Sequence, residues 1–321
     1  MGEASAARQD GDRQDGDRQD GDRQDGDGRA PIAAQRAADP RTRARNRVLL
    51  AAGAIVVVVA VVLALVLFHG SGSPTPTAGE AITGPAGTSL SQLIRQVTGV
   101  PTVTLDQVGA GQTGAHPSSI SGTALTANGK PEMLYLGAEF CPYCAAERWA
   151  MVNALSRFGT FTGLATIRSA ARDGGGNAEP YPSTPTWTFA KASYASTYLT
   201  FTPVEMDTNI PDKATGGYTT LQTPTAAQQA LIDKYDATYQ GAIPFIDYGN
   251  RYLSVGASYD PGVLQGLTWA QIAADLHNPA SPVARAVLGT ANYMTAAICD
   301  LTSDQPASAC TATVTALQAK I

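Results

Sequence analysis

Cysteine and histidine are scarce in this chain, with four of the first and three of the second among 321 residues. Four cysteines are too few for a small scaffold stapled by disulfides, although an even number suits two bridges. His69, His116 and His277 stand apart from one another. None is spaced from a Cys, Asp or Ser as a metal ligand set or a catalytic triad would be, so neither metal nor cofactor is expected. An excess of basic charge is also lacking. Residues 1–47 hold ten Arg and ten acidic residues, which cancel, and the remainder carries the whole net charge of −5. Without a basic stripe there is no electrostatic footprint for nucleic acid.

Residues 8–27 are four copies of Arg-Gln-Asp-Gly-Asp without one apolar side chain. Such a segment cannot offset its ordering entropy, so 1–47 reads as a disordered tail. Val48 to Phe68 is then an uninterrupted apolar run without a charged residue, and about twenty such residues cross a bilayer as a helix. Arg36, Arg41, Arg43, Arg45 and Arg47 precede it, and the next Lys or Arg is Arg95. That asymmetry places the tail in the cytoplasm and the C-terminal part outside the membrane. A cleaved signal peptide would call for a shorter apolar stretch and a shorter leader. Residues 69–88, rich in Gly, Ser, Pro and Thr, read as a flexible linker.

From residue 89 the pattern is that of a folded α/β domain. Leu90, Ile94 and Val97 have helical spacing, ended by Pro101. Met133 to Ala138 reads as a buried strand, and Ala145, Trp149, Val152 and Leu155 mark one apolar helix face. Leu164 to Ile167 is a second strand candidate, 171–185 an irregular loop, and Thr186 to Met206 extended structure. A helix is expected over Thr225–Tyr239, then a strand hairpin turning at Tyr248-Gly249-Asn250. Thr268–Leu276 and Pro282–Ile298 are helical patterns, and a last short helix closes the chain.

Between the first strand and its helix lies Cys141-Pro142-Tyr143-Cys144. A dithiol that cycles needs one accessible sulfur of lowered pKa and a second within bonding reach. The first turn of a helix supplies both. Cys141 at the N-terminal edge meets unpaired N–H groups and the helix dipole, which favour its thiolate. Cys144, one turn in, would resolve mixed disulfides formed on Cys141, and Pro142 suits the first helical position. Two other readings stand beside this one: a static bridge, and a zinc knuckle using all four cysteines, for which Cys299-x10-Cys310 is an unusual spacing.

Cys-Pro-Tyr-Cys with its strand, helix and downstream Ile243-Pro244 resembles the thioredoxin superfamily, over about residues 119–275. Glutaredoxins and some extracytoplasmic disulfide-handling proteins share the motif. The resemblance implies that Pro244 is a cis proline facing the dithiol and holding a substrate strand. Ile243-Pro-Phe-Ile-Asp247, Leu264-Gln-Gly-Leu-Thr-Trp269 and Ala297-Ile-Cys299 are similar to a membrane-anchored thioredoxin-like family known only as a domain of unknown function. Two departures accompany the likeness. Pro244 lies 100 positions after Cys144, which implies a large insertion, either surface structure and extra strands or a substrate lid. Tyr135 also stands where the superfamily carries a buried acid, leaving Glu139 as the candidate for proton transfer to Cys144, unless it is simply solvated.

Cys299 and Cys310 bracket a polar turn and read as a structural disulfide, with a redox relay to Cys141/Cys144 as the alternative. The expected architecture is thus one transmembrane helix followed by an extracytoplasmic thioredoxin-like domain with a large insertion and a helical C-terminal extension over 276–321. Its expected function is thiol–disulfide oxidoreduction, as an oxidase or isomerase of exported proteins. Its partners would be exported protein thiols and disulfides, together with a membrane redox partner. The other class of function is a redox-inactive binding or scaffold module of the cell envelope.

Overall fold

The computed structural model describes residues 88–321. The N-terminal tail expected to be disordered, the apolar run Val48–Phe68 expected to span the membrane, and most of the expected linker lie outside the described residues. Among the described residues no helix is long and apolar enough to cross a membrane.

Two short helices lead, α1 (Leu90–Thr98) and α2 (Thr102–Val108). Ser89 and Gln92 close a capping box on α1, which buries Leu93 and Val97. Gly99, not Pro101, ends α1, and Pro101 sits at the N-cap of α2. A proline there loses no hydrogen bond that a helix start would make, so the residue expected to stop one helix opens another.

Strands β1 (Ser118–Ser119), β2 (Thr126–Ala127) and β3 (Lys130–Gly137) precede α3 (Pro142–Ser156). The segment that follows contains β4 (Gly159–Thr162), β5 (Ala165–Arg168), β6 (Pro185–Thr188) and β7 (Ser193–Ser196), then β8 (Thr200–Glu205), β9 (Asp207–Pro211) and β10 (Tyr218–Thr220). Helix α4 (Ala226–Tyr239) leads to the hairpin β11 (Phe245–Tyr248) and β12 (Tyr252–Val255). Helices α5 (Trp269–Asp275), α6 (Pro282–Leu301) and α7 (Ala312–Gln318) complete a mixed α/β domain with seven α-helices among the described residues.

The central sheet has six strands in the order β1–β12–β11–β3–β2, with β8 also paired to β3. β3 and β8 are parallel, in register from Glu132↔Thr200 to Gly137↔Glu205. β11 is antiparallel to both β3 and β12. The parallel pair requires a crossover, and α3 supplies its helical part. Of the long segment between Cys144 and Pro244, β8 is therefore part of the central sheet. The remaining strands form small two-stranded sheets, β4 with β7, β5 with β6 and β9 with β10.

Helix α3 was expected to show one apolar face, yet it is buried on all sides from Cys144 to Leu155. The cause lies in what surrounds it. Helix α6 packs along it, and β6 covers another side. Trp149 donates from Nε1 to the Pro185 carbonyl at 2.9 Å, and Thr186 donates from its hydroxyl to the Ala145 carbonyl at 2.7 Å. Each buried aliphatic side chain on such a helix contributes about 1.5–3 kcal/mol. A dithiol at its first turn is thus mounted on an element with little freedom to shift.

Candidate functional site

Cys141 caps α3, and Pro142 takes the first helical position. The backbone N–H of Cys144 donates to the Cys141 sulfur at 3.1 Å. The Cys141 thiol in turn points at the Ile243 carbonyl, 3.9 Å away. The Ile243–Pro244 peptide is cis, so the turn expected from the resemblance faces the dithiol. Both cysteines are free thiols and both are recessed: Cys141 is 4% exposed and Cys144 fully buried.

Burial pushes the Cys141 thiol up, but hydrogen bonds from the Cys144 side chain and N–H, the Arg148 charge and the Tyr143 N–H outweigh it, and its pKa is lowered. Cys144 goes the other way. Burial, its bond to Cys141 and the Cys141 charge raise it well above an ordinary thiol. The two thiols thus differ in the direction that the helix-edge argument expects.

Beneath the sulfurs lies a buried ion pair that sequence reasoning missed. Arg148 donates to Glu205 from Nε at 2.9 Å and from Nη2 at 2.5 Å, and both side chains are fully buried. Nη2 also donates to the Ala138 carbonyl at 2.7 Å, and the same carbonyl accepts the Cys141 N–H at 3.3 Å. Burial works against the Arg148 charge, and Glu205 more than restores it. The Tyr135 ring lies 5.8 Å from the guanidinium, and its buried hydroxyl has no hydrogen-bond partner. The signal available in the sequence was Arg148 itself, a charge four residues after Cys144 within an apolar helix. Its partner, 57 residues away, carries no local signal.

Glu139 accepts from the Thr188 hydroxyl at 2.6 Å, and its pKa is raised chiefly by burial. It sits in the turn before Cys141, engaged with the insertion. Two aromatic pairs flank the motif: Phe140 stacks on Tyr218 at 4.0 Å, and Tyr143 meets Tyr181 edge-on at 6.0 Å. Tyr181 and Tyr218 both come from the segment between Cys144 and Pro244. That segment therefore builds a wall beside the dithiol.

Cys299 and Cys310 are joined in a disulfide with Cα atoms 5.8 Å apart. Asp304 is close enough to complete a group of three potential metal ligands with them, but the bridge occupies both sulfurs. The pair is also remote from the dithiol. Asp300 accepts from the Tyr252 hydroxyl at 2.8 Å, and Tyr252 pairs with Tyr248, which pairs with Met133. The dithiol lies beyond Gly137, at the other end of the same strand. Four residues of strand separate the two levels, roughly 13 Å. Of the histidines, His116 stacks on Tyr293 at 5.0 Å and His277 contacts the Gln96 carbonyl at 3.0 Å. His69 lies outside the described residues.

The family model described as Domain of unknown function (DUF929) matches residues 116–300, more than half of the chain. The chain belongs to the DUF929 family. No curated protein and no solved structure matches it. The matched DUF929 region contains both dithiol cysteines, Arg148, Glu205 and Ile243–Pro244. Cys310, α1, α2 and α7 fall outside it.

Proposed function

We propose that this DUF929 protein is a thiol–disulfide oxidoreductase with a thioredoxin-like fold, held outside the membrane by Val48–Phe68 and acting on exported proteins. The observation that carries this reading is the setting of the Cys141 sulfur, capped by the Cys144 N–H at 3.1 Å and facing the Ile243 carbonyl at 3.9 Å. Three further features support it. The dithiol follows the first strand of a parallel strand–helix–strand crossover. An antiparallel pair headed by a cis proline follows. The two thiols are shifted in opposite directions, as a nucleophile and a resolving group need.

In this reading a substrate cysteine forms a mixed disulfide with Cys141, which a second thiol, either the substrate's own or Cys144, then resolves. The Ile243–Pro244 edge holds the substrate chain through backbone contacts. The arginines before residue 48 support the location, and exported thiols and disulfides are the substrates that location offers.

The test is a Cys144→Ala variant of the full chain in its native membrane. Mixed disulfides should accumulate on Cys141 and vanish in a Cys141→Ser, Cys144→Ala double variant. If nothing is trapped, and the wild-type bridge stays closed in strong reductant, the enzyme reading fails. The near-complete burial of both sulfurs would then favour a redox-inactive binding module.

A further inference from the structure

Superfamily resemblance leads one to expect a lone buried acid beneath the dithiol, and an ion pair lies there, the carboxylate of Glu205 engaged by Arg148. The Arg148 guanidinium is fully buried, and one of its nitrogens, Nη1, has no hydrogen-bond partner. The rest of the guanidinium is held from two sides. Glu205, at the end of β8, takes Nε and Nη2 and is itself fixed by the Phe189 N–H at 3.2 Å. The Ala138 carbonyl takes Nη2 together with the Cys141 N–H. The N–H of the same Ala138 faces the Cys144 sulfur. One residue, Ala138, therefore links the guanidinium to both cysteines through its two backbone groups. Within the ion pair it is the Arg148 charge that acts on both thiols, while Glu205 is seated on β8, the neighbour of β3. In a dry interior such a charge acts with little screening.

We propose that Arg148 is a positioning residue that sets the direction of the couple, favouring the reduced, thiolate-bearing dithiol over the Cys141–Cys144 bridge and so making the domain an oxidant of protein dithiols. This rests on the oxidoreductase reading above and adds its direction. A substrate thiolate attacks the Cys141 sulfur, and the Cys141–Cys144 bond breaks. Cys144 leaves with the electron pair beside Arg148 and the Ala138 N–H, then takes a proton. The second substrate thiolate attacks the substrate sulfur of the mixed disulfide. Cys141 leaves as a thiolate, capped by the Cys144 N–H and thiol. The substrate gives up two electrons and gains a disulfide. Of its two thiol protons, one ends on Cys144 and one in solvent. Whatever stabilises the departing thiolates pulls this exchange forward.

The experiment equilibrates the full chain with mixtures of reduced and oxidised glutathione and, separately, follows alkylation of Cys141 against pH. In Arg148→Gln the equilibrium constant for oxidising glutathione should fall at least tenfold, about 30 mV for a two-electron couple, and the alkylation midpoint should rise. In Glu205→Gln, which keeps the cation and removes its counter-charge, both should move the opposite way. Arg148→Lys should restore most of the wild-type constant. Should Arg148→Gln fail to fold, Glu205→Gln decides by itself. Folded variants with the wild-type constant and midpoint overturn the proposal while leaving the enzyme reading in place. A wild-type protein whose Cys144→Ala form traps nothing removes both.

Discussion

Glu147 is buried against Ser258, whose backbone N–H and hydroxyl both donate to its carboxylate, at 2.9 and 2.7 Å. The neighbours in sequence, Glu147 and Arg148, thus leave the helix toward different partners. Burial dominates over these two bonds and raises the Glu147 pKa to about 7.

A pH dependence follows with a definite sign. In the unfolded chain Glu147 ionises near 4.5, its ordinary value, and in the folded chain near 7. Between those values the folded state holds a proton that the unfolded state has lost, so stability is full below 4.5 and declines toward pH 7. The gap corresponds to roughly 3 kcal/mol. Glu147→Gln should flatten this decline and stabilise the domain by about 1–3 kcal/mol at pH 8, with little change at pH 4. Urea unfolding across that range measures it; an unaltered pH profile would rule it out.

Cys141 should be alkylated far faster than Cys144 in the reduced native protein. Its rate midpoint should lie below the value of about 8.5 of an ordinary thiol, because its pKa is lowered. Mass mapping after a short iodoacetamide pulse locates the label. Preferential modification of Cys144 would contradict the geometry.

Replacing Cys299 and Cys310 together by Ala should cost about 3 kcal/mol, the entropy of closing a short loop in the unfolded chain. Because the bridge lies at the other end of the sheet, the Cys141 alkylation rate should not change. A relay between the pairs would instead make the double variant alter the redox equilibrium of Cys141/Cys144.

Gly111→Ala should destabilise the domain by several kcal/mol. Gly111 has φ +59°, and a Cβ there would meet the Arg285 carbonyl oxygen at 2.1 Å and the Gly289 Cα at 2.7 Å. The clash falls where the chain leaving α2 crosses α6, so a lower Tm with unchanged thiol chemistry is the expected result.

Much of this architecture could be read from local pattern. Met133–Ala138, Thr225–Tyr239 and the hairpin around Gly249 each carry their period and turn residues within a few positions, and their elements sit there. Cys141 and Pro142 announce a helix start because cap chemistry is local. Pro101 misled for a related reason: the same residue type can follow one helix or open the next. Arg148 with Glu205 and the aromatic pairs around the motif were not legible. They are contacts between residues far apart in the chain, and no periodicity encodes them. Leu164–Ile167 was read as a strand correctly in type, but its pairing with β6 outside the central sheet depends on tertiary packing.

The enclosure of α3 on every side has a consequence for what the dithiol can meet. A helix locked by Trp149, Thr186 and α6 cannot swing its first turn outward to greet a partner, so the partner must come in. Ile243–Pro244 and the aromatic pairs Phe140–Tyr218 and Tyr143–Tyr181 flank the dithiol. If the domain acts on exported proteins as proposed, so recessed a dithiol would favour cysteines on extended segments over cysteines on folded surfaces.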